Sequence, residues 1–244
     1  MADLQELRRK NIELARIAVR ESVSQDLFII NAINNIEELQ RLTNMLSKRL
    51  REWYSLYLPE LDKRVSDNEA FVQFVLKDDR NNLVREFKIK DSMGADIAKK
   101  DLDTIIGLAK TIAFIIEEEG ALRKYVEEKM EELCPNVNLL AGSLIGAKLM
   151  RGAGSLKRLA MMRSSTIQLI GAEKALFRHI TTGARPPKYG YLMQHPLVQK
   201  SRREDKGKIA RTLADKIFIA ARIDYFKGEF AADRLLKEVE VKLK

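Results

Sequence analysis

Between Ser164 and His195 the chain reads SSTIQLIGAEKALFRHITTGARPPKYGYLMQH, and this stretch gathers side chains able to hold a phosphate or an unpaired base. Lys174 and Arg178 lie four apart, so on a helix they project from one side. The Thr181–Tyr189 loop adds Arg185 and Lys188, and Gln194 and His195 close the run with an amide and an imidazole. Cations of this kind meet phosphates, while an amide and an imidazole can hydrogen-bond to or stack on a splayed base. The plainer alternative for the same residues is a solvated basic helix with a structurally satisfied histidine.

Helices must position these groups. Ser165 followed by Gln168 has capping-box spacing. Ile167, Leu169, Ile170, Ala175, Leu176 and Ile180 supply an apolar face, so one helix is expected from about Ser164 to Ile180. Gly171 inside it costs roughly 1 kcal/mol against Ala and is expected to admit another backbone at close range. Asp205 to Phe226 reads as another helix, with Ile209, Leu213, Ile217, Ala220 and Ile223 inward. Lys206, Lys208 and Arg211 fall on its exposed side, and Arg202 and Arg203 precede it.

The net charge of +9 on 244 residues is unevenly spread. Between Asn136 and Thr212 stand 15 Lys and Arg against 3 Asp and Glu, leaving 29 against 32 elsewhere. Positive charge confined to one segment is the footprint expected for a polyanion, because each neutralised phosphate releases counterions. Membrane attachment is not indicated: Ile105–Ile116, the most apolar run, is short and contains Lys110. With 32% charged and 45% hydrophobic residues the chain reads as folded, soluble and helix-rich. Cys134 stands alone, which excludes an intramolecular disulfide and a multi-cysteine zinc site and fits a reducing, intracellular compartment.

Two regular seams organise the first half. Ala32, Ile36, Leu39, Thr43, Leu46, Leu50, Trp53 and Tyr57 alternate steps of four and three, on a helix expected from Ser24 or Asp26 to Leu58, stopping at Pro59. Ala98, Leu102, Ile105, Ala109, Ile112 and Ile116 repeat the alternation between about Ser92 and Glu119. A short helix near Asn68–Leu76 and a polar DDRNN link (Asp78–Asn82) join them, so the economical solution is an antiparallel hairpin. It serves either as ordinary bundle packing or as a rod for dimerisation. The expected division is an N-terminal helix over 1–22, a coiled-coil arm over 23–125 and a basic domain over 126–244. In the basic domain, Asn136–Met150 is expected to be one helix. A break at Arg151–Gly154 and a short helix capped by Ser155 follow it. Phe230–Lys244 reads as a mixed-charge helix or frayed tail.

Enzyme chemistry finds little support. The chain has two histidines, His179 and His195, with no acidic partner near them except Glu173 and the pair Glu204 and Asp205. The RGAGS run (Arg151–Ser155) lacks the lysine-and-hydroxyl ending of a P-loop and reads as a C-cap turn. No catalytic site, cofactor or metal site is expected.

Five blocks in order carry a resemblance: AGSL (Ala153–Leu156), STIQLIGAEKALFRH (Ser165–His179), RPPKYG (Arg185–Gly190), QHPLV (Gln194–Val198) and GKIAR…IAARID (Gly207–Asp224). They closely resemble the Nop domain of box C/D small RNA particle core proteins and their spliceosomal relative. REWY (Arg51–Tyr54) and PEL (Pro59–Leu61) extend the likeness into the arm, so that it covers about Asp26–Phe226. The resemblance implies an all-α fold, a long antiparallel coiled-coil arm plus a compact helical Nop domain. It further implies a non-catalytic scaffold that recognises a box C/D or related kink-turn RNA together with its bound ribosomal-type protein.

On that reading Lys174, Arg178, Arg185 and Lys188 meet phosphates, Gln194 and His195 meet bases, and Arg202, Arg203, Lys206, Lys208 and Arg211 extend the basic track. The arm would self-associate along Ile36, Leu39, Leu46, Leu50, Trp53, Leu102, Ile105, Ile112 and Ile116. The alternative is a dimeric helical adaptor whose basic face binds an acidic protein. Box C/D members carry an N-terminal fibrillarin-binding domain, for which the roughly 25 residues before the arm leave no room. Fibrillarin binding through that domain is therefore not carried over. MMRSST (Met161–Thr166) replaces the family's proline-alanine before STI. The expected location is cytoplasmic in a prokaryote or archaeon and nuclear or nucleolar in a eukaryote.

Overall fold

The computed structural model describes residues 2–77 and 79–241, and every long element among them is an α-helix. The chain forms two compact units, residues 34–124 and residues 1–33 with 125–244.

The first unit draws on α2 (Gln25–Tyr54), α3 (Pro59–Arg64), α4 (Asn68–Lys77), α5 (Arg80–Glu86) and α6 (Lys99–Leu133). Its core clusters Leu50, Tyr54, Leu58 and Leu61 with Phe71, Val72, Leu83, Ile105, Ala109 and Ile112. Leu46, Leu102 and Ile116 pack against that cluster, and Ile36 is buried. The heptad seam therefore packs largely into the arm's own interior. Leu39 is only partly buried, and Trp53 is 41% exposed. The tryptophan belongs to an exposed apolar set, Leu42, Met45 and Trp53 on α2 with Leu56 in the turn that follows.

The helix boundaries also differ from expectation. The first long helix ends at Tyr54, and Pro59 opens α3 at its N1 position, where its missing N–H costs nothing. In the polar link Asp79 takes the N-cap position of α5, which Arg80, Asn81 and Asn82 begin; Asp78 lies outside the described residues. The second long helix starts at Lys99 and runs to Leu133. Before it, residues 88–98 form a strap held by Arg80, which bonds Asp96 at 2.7 Å and the Gly94 carbonyl at 2.8 Å.

Arg51 is the polar centre of this unit. Its guanidinium donates to Asn68 Oδ1 at 3.0 Å, Asp62 Oδ1 at 2.8 Å and the carbonyls of Val65 and Asp67 at 2.7 and 2.9 Å. It also stacks over the Phe71 ring, 4.3 Å from the centroid. One side chain thus satisfies the carbonyls of the turn between α3 and α4, which no helix ladder reaches.

The second unit holds α1 (Ala2–Glu21), α7 (Pro135–Ala141), α8 (Ser143–Ala153), α9 (Leu156–Met161), α10 (Ser164–Leu169), α11 (Glu173–Thr182), α12 (Pro196–Gln199), α13 (Lys206–Tyr225) and α14 (Ala232–Val241). Helix α13 is central and contacts α7, α9, α10, α12 and α14. Its buried face, Ile209, Ala210, Leu213, Ala214, Ile217, Ala220 and Ala221, is rich in alanine, which lets neighbouring helices come close. The helix expected over Asn136–Met150 is two, parted at Gly142 with φ +79°. Gly154 then ends α8 in the left-handed conformation, and the Ser155 hydroxyl accepts the Arg158 N–H at 3.1 Å to cap α9, as expected.

Two carboxylates cap helices from afar. Asp26 accepts the Leu156 N–H at 2.7 Å, and Asp224 accepts the N–H groups of Asn136 and Val137 at 3.2 and 2.9 Å. Cys134, before α7, is fully buried with its sulfur 3.7 Å from Met130 Sδ, and burial drives its thiol pKa far upward.

Replacing Arg51 by Met keeps the apolar stem and leaves two turn carbonyls without their donor. Urea denaturation should register a loss of about 2–3 kcal/mol. A loss below roughly 0.5 kcal/mol would mean the Arg51 network is ornamental.

Candidate nucleic-acid interface

The helix expected from Ser164 to Ile180 is broken at Ile170–Ala172 into α10 and α11. Gly171 makes the break with φ +91°, and a Cβ there would stand 2.7 Å from the Tyr191 ring. A ring, not a backbone, approaches it. The close backbone contact occurs instead at Gly190, where a Cβ would lie 1.9 Å from the Ile170 carbonyl oxygen. The capping box is also absent: Arg163 takes the N-cap position without a side-chain bond. The buried Gln168 points elsewhere, donating to the Lys188 carbonyl at 2.6 Å.

That bond fixes the basic loop. Gly190 N–H donates to the Gln168 carbonyl at 2.9 Å and Tyr191 N–H to the Ile170 carbonyl at 2.8 Å. The His179 ring bonds the Ala184 carbonyl just after α11. The aliphatic stem of Lys188 lies against Gly207, whose added Cβ would be 3.4 Å from Lys188 Cδ. The structure thus brings Lys188 to the first turn of α13, which carries Lys206 and Lys208.

Lys174, Arg178, Arg185, Lys188, Arg202, Arg203, Lys208 and Arg211 are exposed and Lys206 is half-buried. Among the described residues none of these nine forms an ion pair, whereas Arg51, Arg80 and Arg123 in the other unit are all paired. Cations left unneutralised on a fixed backbone form a ready site for phosphates. Two further cations sit at the same end of the unit. Lys148 Nζ donates to Gln194 Oε1 at 3.0 Å, and Arg151 donates to the Tyr191 hydroxyl at 2.5 Å. Both lie near the Tyr191 ring, Lys148 at 5.8 Å and Arg151 at 5.5 Å. Their distance in sequence hid them; only the local charge excess signalled them.

His195 differs from the expectation of a ring open for stacking. It is 9% exposed. Its Nδ1 accepts the Leu197 N–H at 3.3 Å as the cap of α12, and its ring also bonds the Leu140 carbonyl. Desolvation lowers its pKa, opposed in part by the Leu140 bond. The imidazole is a neutral brace beneath the exposed Gln194.

Helix α11 buries none of its residues fully. Phe177 and Ile180 are 69% and 72% exposed, on the same short helix as Lys174 and Arg178. Ile180, expected on an inward face, faces out because the helix breaks at Gly171. Adjacent apolar and cationic surface suits a partner combining protein and phosphate.

The family model described as "Nop: snoRNA binding domain, fibrillarin" matches residues 35–244. The chain belongs to the Nop family. A NOP5 family protein of Methanocaldococcus jannaschii is 42% identical over 93% of this chain and 59% of its own length. Nucleolar protein 56 of Saccharomyces cerevisiae is 35% identical over 94% of this chain and 50% of its own. Nucleolar protein 58 of Schizosaccharomyces pombe is 35% identical over 82% and 42%. The chain thus spans about half the length of these curated relatives. A solved structure titled as the fibrillarin/Nop5p complex matches with a TM-score of 0.59 and 25% identity, over 98% of this chain and 77% of that one. The Nop-family match contains every cation named above, whereas α1 precedes it. Among the described residues no helix is long and apolar enough to cross a membrane.

The lowered pKa of His195 predicts a pH effect on stability. The unfolded imidazole takes a proton as the pH falls through 6.5, while the folded ring resists. Stability should be full above 6.5 and drop as the pH falls from there toward the folded-state value. His195→Gln should remove that part of the drop in urea unfolding followed from about pH 7.5 to about pH 4.5. Parallel curves for wild type and variant would refute the buried, neutral assignment.

Proposed function

We propose that the chain is a non-catalytic scaffold of a box C/D-type ribonucleoprotein, recognising a kink-turn RNA together with the small ribosomal-type protein bound to it. The observation that carries this reading is the set of nine unpaired cations around a pinned loop, beside the exposed Phe177 and Ile180 of α11. Lys174, Arg178, Arg185 and Lys188 take phosphates; Arg202, Arg203, Lys206, Lys208 and Arg211 continue the track. Gln194 offers its amide to a base, and His195 holds the turn that presents it. Phe177 and Ile180 cover apolar surface on the protein partner. Family membership and the printed names of the relatives support the reading. Fibrillarin, named with the structural neighbour, is a proposed member of the same particle, with no described residue here assigned to it. In a eukaryotic source the place of action would be the nucleolus, in an archaeon the cytoplasm.

Self-association is proposed through the exposed Leu42, Met45 and Trp53 of α2 and Leu56 just after it, in place of the buried seam. Met45→Glu with Leu56→Glu should convert a dimer to a monomer in sedimentation equilibrium with helicity unchanged. A wild-type chain that is already monomeric at high concentration would remove this part of the proposal.

A gel-shift titration with a kink-turn RNA, with and without its ribosomal-type protein, tests the central reading. A supershift should require that protein and disappear in Phe177→Asp with Ile180→Asp. Arg203→Ala with Lys208→Ala should instead weaken binding and lower the slope of log K against log salt by roughly 1.5–2. Equal loss with an acidic protein as competitor, and none with RNA, would favour the adaptor reading.

A further inference from the structure

Within the unit formed by 1–33 and 125–244 lies a cavity of about 720 Å³, away from the basic loop. That volume is within the range of small-molecule sites. Leu133, Pro135, Leu156, Tyr225 and Phe230 provide apolar and aromatic wall. Asp26 and Asp224 line the same cavity.

These two carboxylates are unusual in what holds them. Asp26 is 7% exposed and accepts from the Ser24 hydroxyl and the Leu156 N–H. Asp224 accepts from the Asn136 amide side chain at 2.7 Å and from the Asn136 and Val137 N–H groups. Neither has an ion-pair partner among the described residues. Burial raises the Asp224 pKa, the sign of a charge short of compensation. Buried carboxylates are normally paired with a cation. Glu132, which pairs with Lys129, and the exposed Lys157 and Lys227 line the cavity as well, so that three carboxylates stand against two ammonium groups.

An occupant must therefore bring positive charge and an apolar body. A hydrated metal ion would waste the aromatic wall. An alkylammonium group gains from both, because aromatic faces attract cations and methylenes pack on apolar side chains. We propose that this cavity binds a linear alkyl polyammonium, its ammonium group directed to Asp26 and Asp224 and its methylene chain lying on Leu133, Tyr225 and Phe230. The site is independent of RNA recognition and stands or falls separately from it.

Isothermal titration of the full chain with spermidine, without RNA, tests the site. The protein's net charge of +9 opposes non-specific uptake of a polycation, so saturable binding must come from a local site. One-to-one binding is expected, weakened about tenfold in Phe230→Ala, whose ring is 54% exposed and outside the core. Asp224→Asn should abolish binding in protein whose helicity is checked first. Octane-1,8-diol, similar in length but neutral, should not bind. Absence of saturable binding by folded protein, binding unchanged in Phe230→Ala, or equal binding of the diol would each overturn the proposal.

Discussion

The bond set around Asp224 holds the basic unit together. Its carboxylate lies near the end of α13 and takes the first free N–H groups of α7, while the Asn136 side chain that it orients accepts the Ala231 N–H at 2.8 Å. Two stretches far apart in sequence, 136–137 and 224–231, converge on one half-buried charge. A helix start left uncapped in the interior would cost on the order of 1–3 kcal/mol per orphan group. Helix α13 can then carry its alanine face through the centre of the unit and present Lys206, Lys208 and Arg211 at its other end. The carboxylate fixes one end of the helix, and the phosphate-seeking cations occupy the opposite end.

Rigid support matters because the interface is electrostatically unfavourable by itself. Nine like charges without counter-charges repel each other, so a loose loop would let them spread. Gln168 prevents this through its bond to the Lys188 carbonyl, and Gly190 lets that loop touch the Ile170 carbonyl with no side chain between them. Loop order established during folding does not have to be established again on binding.

Much of this was legible in the sequence where spacing is regular. The α13 face, the Ser155 cap, the Gly154 stop and the two seams follow from period and capping chemistry, and the charge excess between Asn136 and Thr212 located the basic surface. The errors share a cause. Ser165 and Gln168 satisfy a local capping rule, but a tertiary bond from Gln168 to Lys188 wins over it. Gly171 reads as a helical glycine that admits another backbone, whereas the Tyr191 ring, twenty residues on, fills the space above it. His195 looks like an exposed base reader because its neighbours are polar; its ring instead bonds the distant Leu140 backbone, which no local pattern reveals. The heptads of the arm specify apolar partners without saying whether these lie in the same chain.

Cys134 has a practical consequence. It is the single thiol of the chain, wholly enclosed beside Met130 and held in its protonated, unreactive form. Alkylating reagents can reach it only when the junction of α6 and α7 opens. The native sequence therefore carries its own clock: the rate at which a thiol dye reacts reports how often this part of the unit opens, without any introduced label.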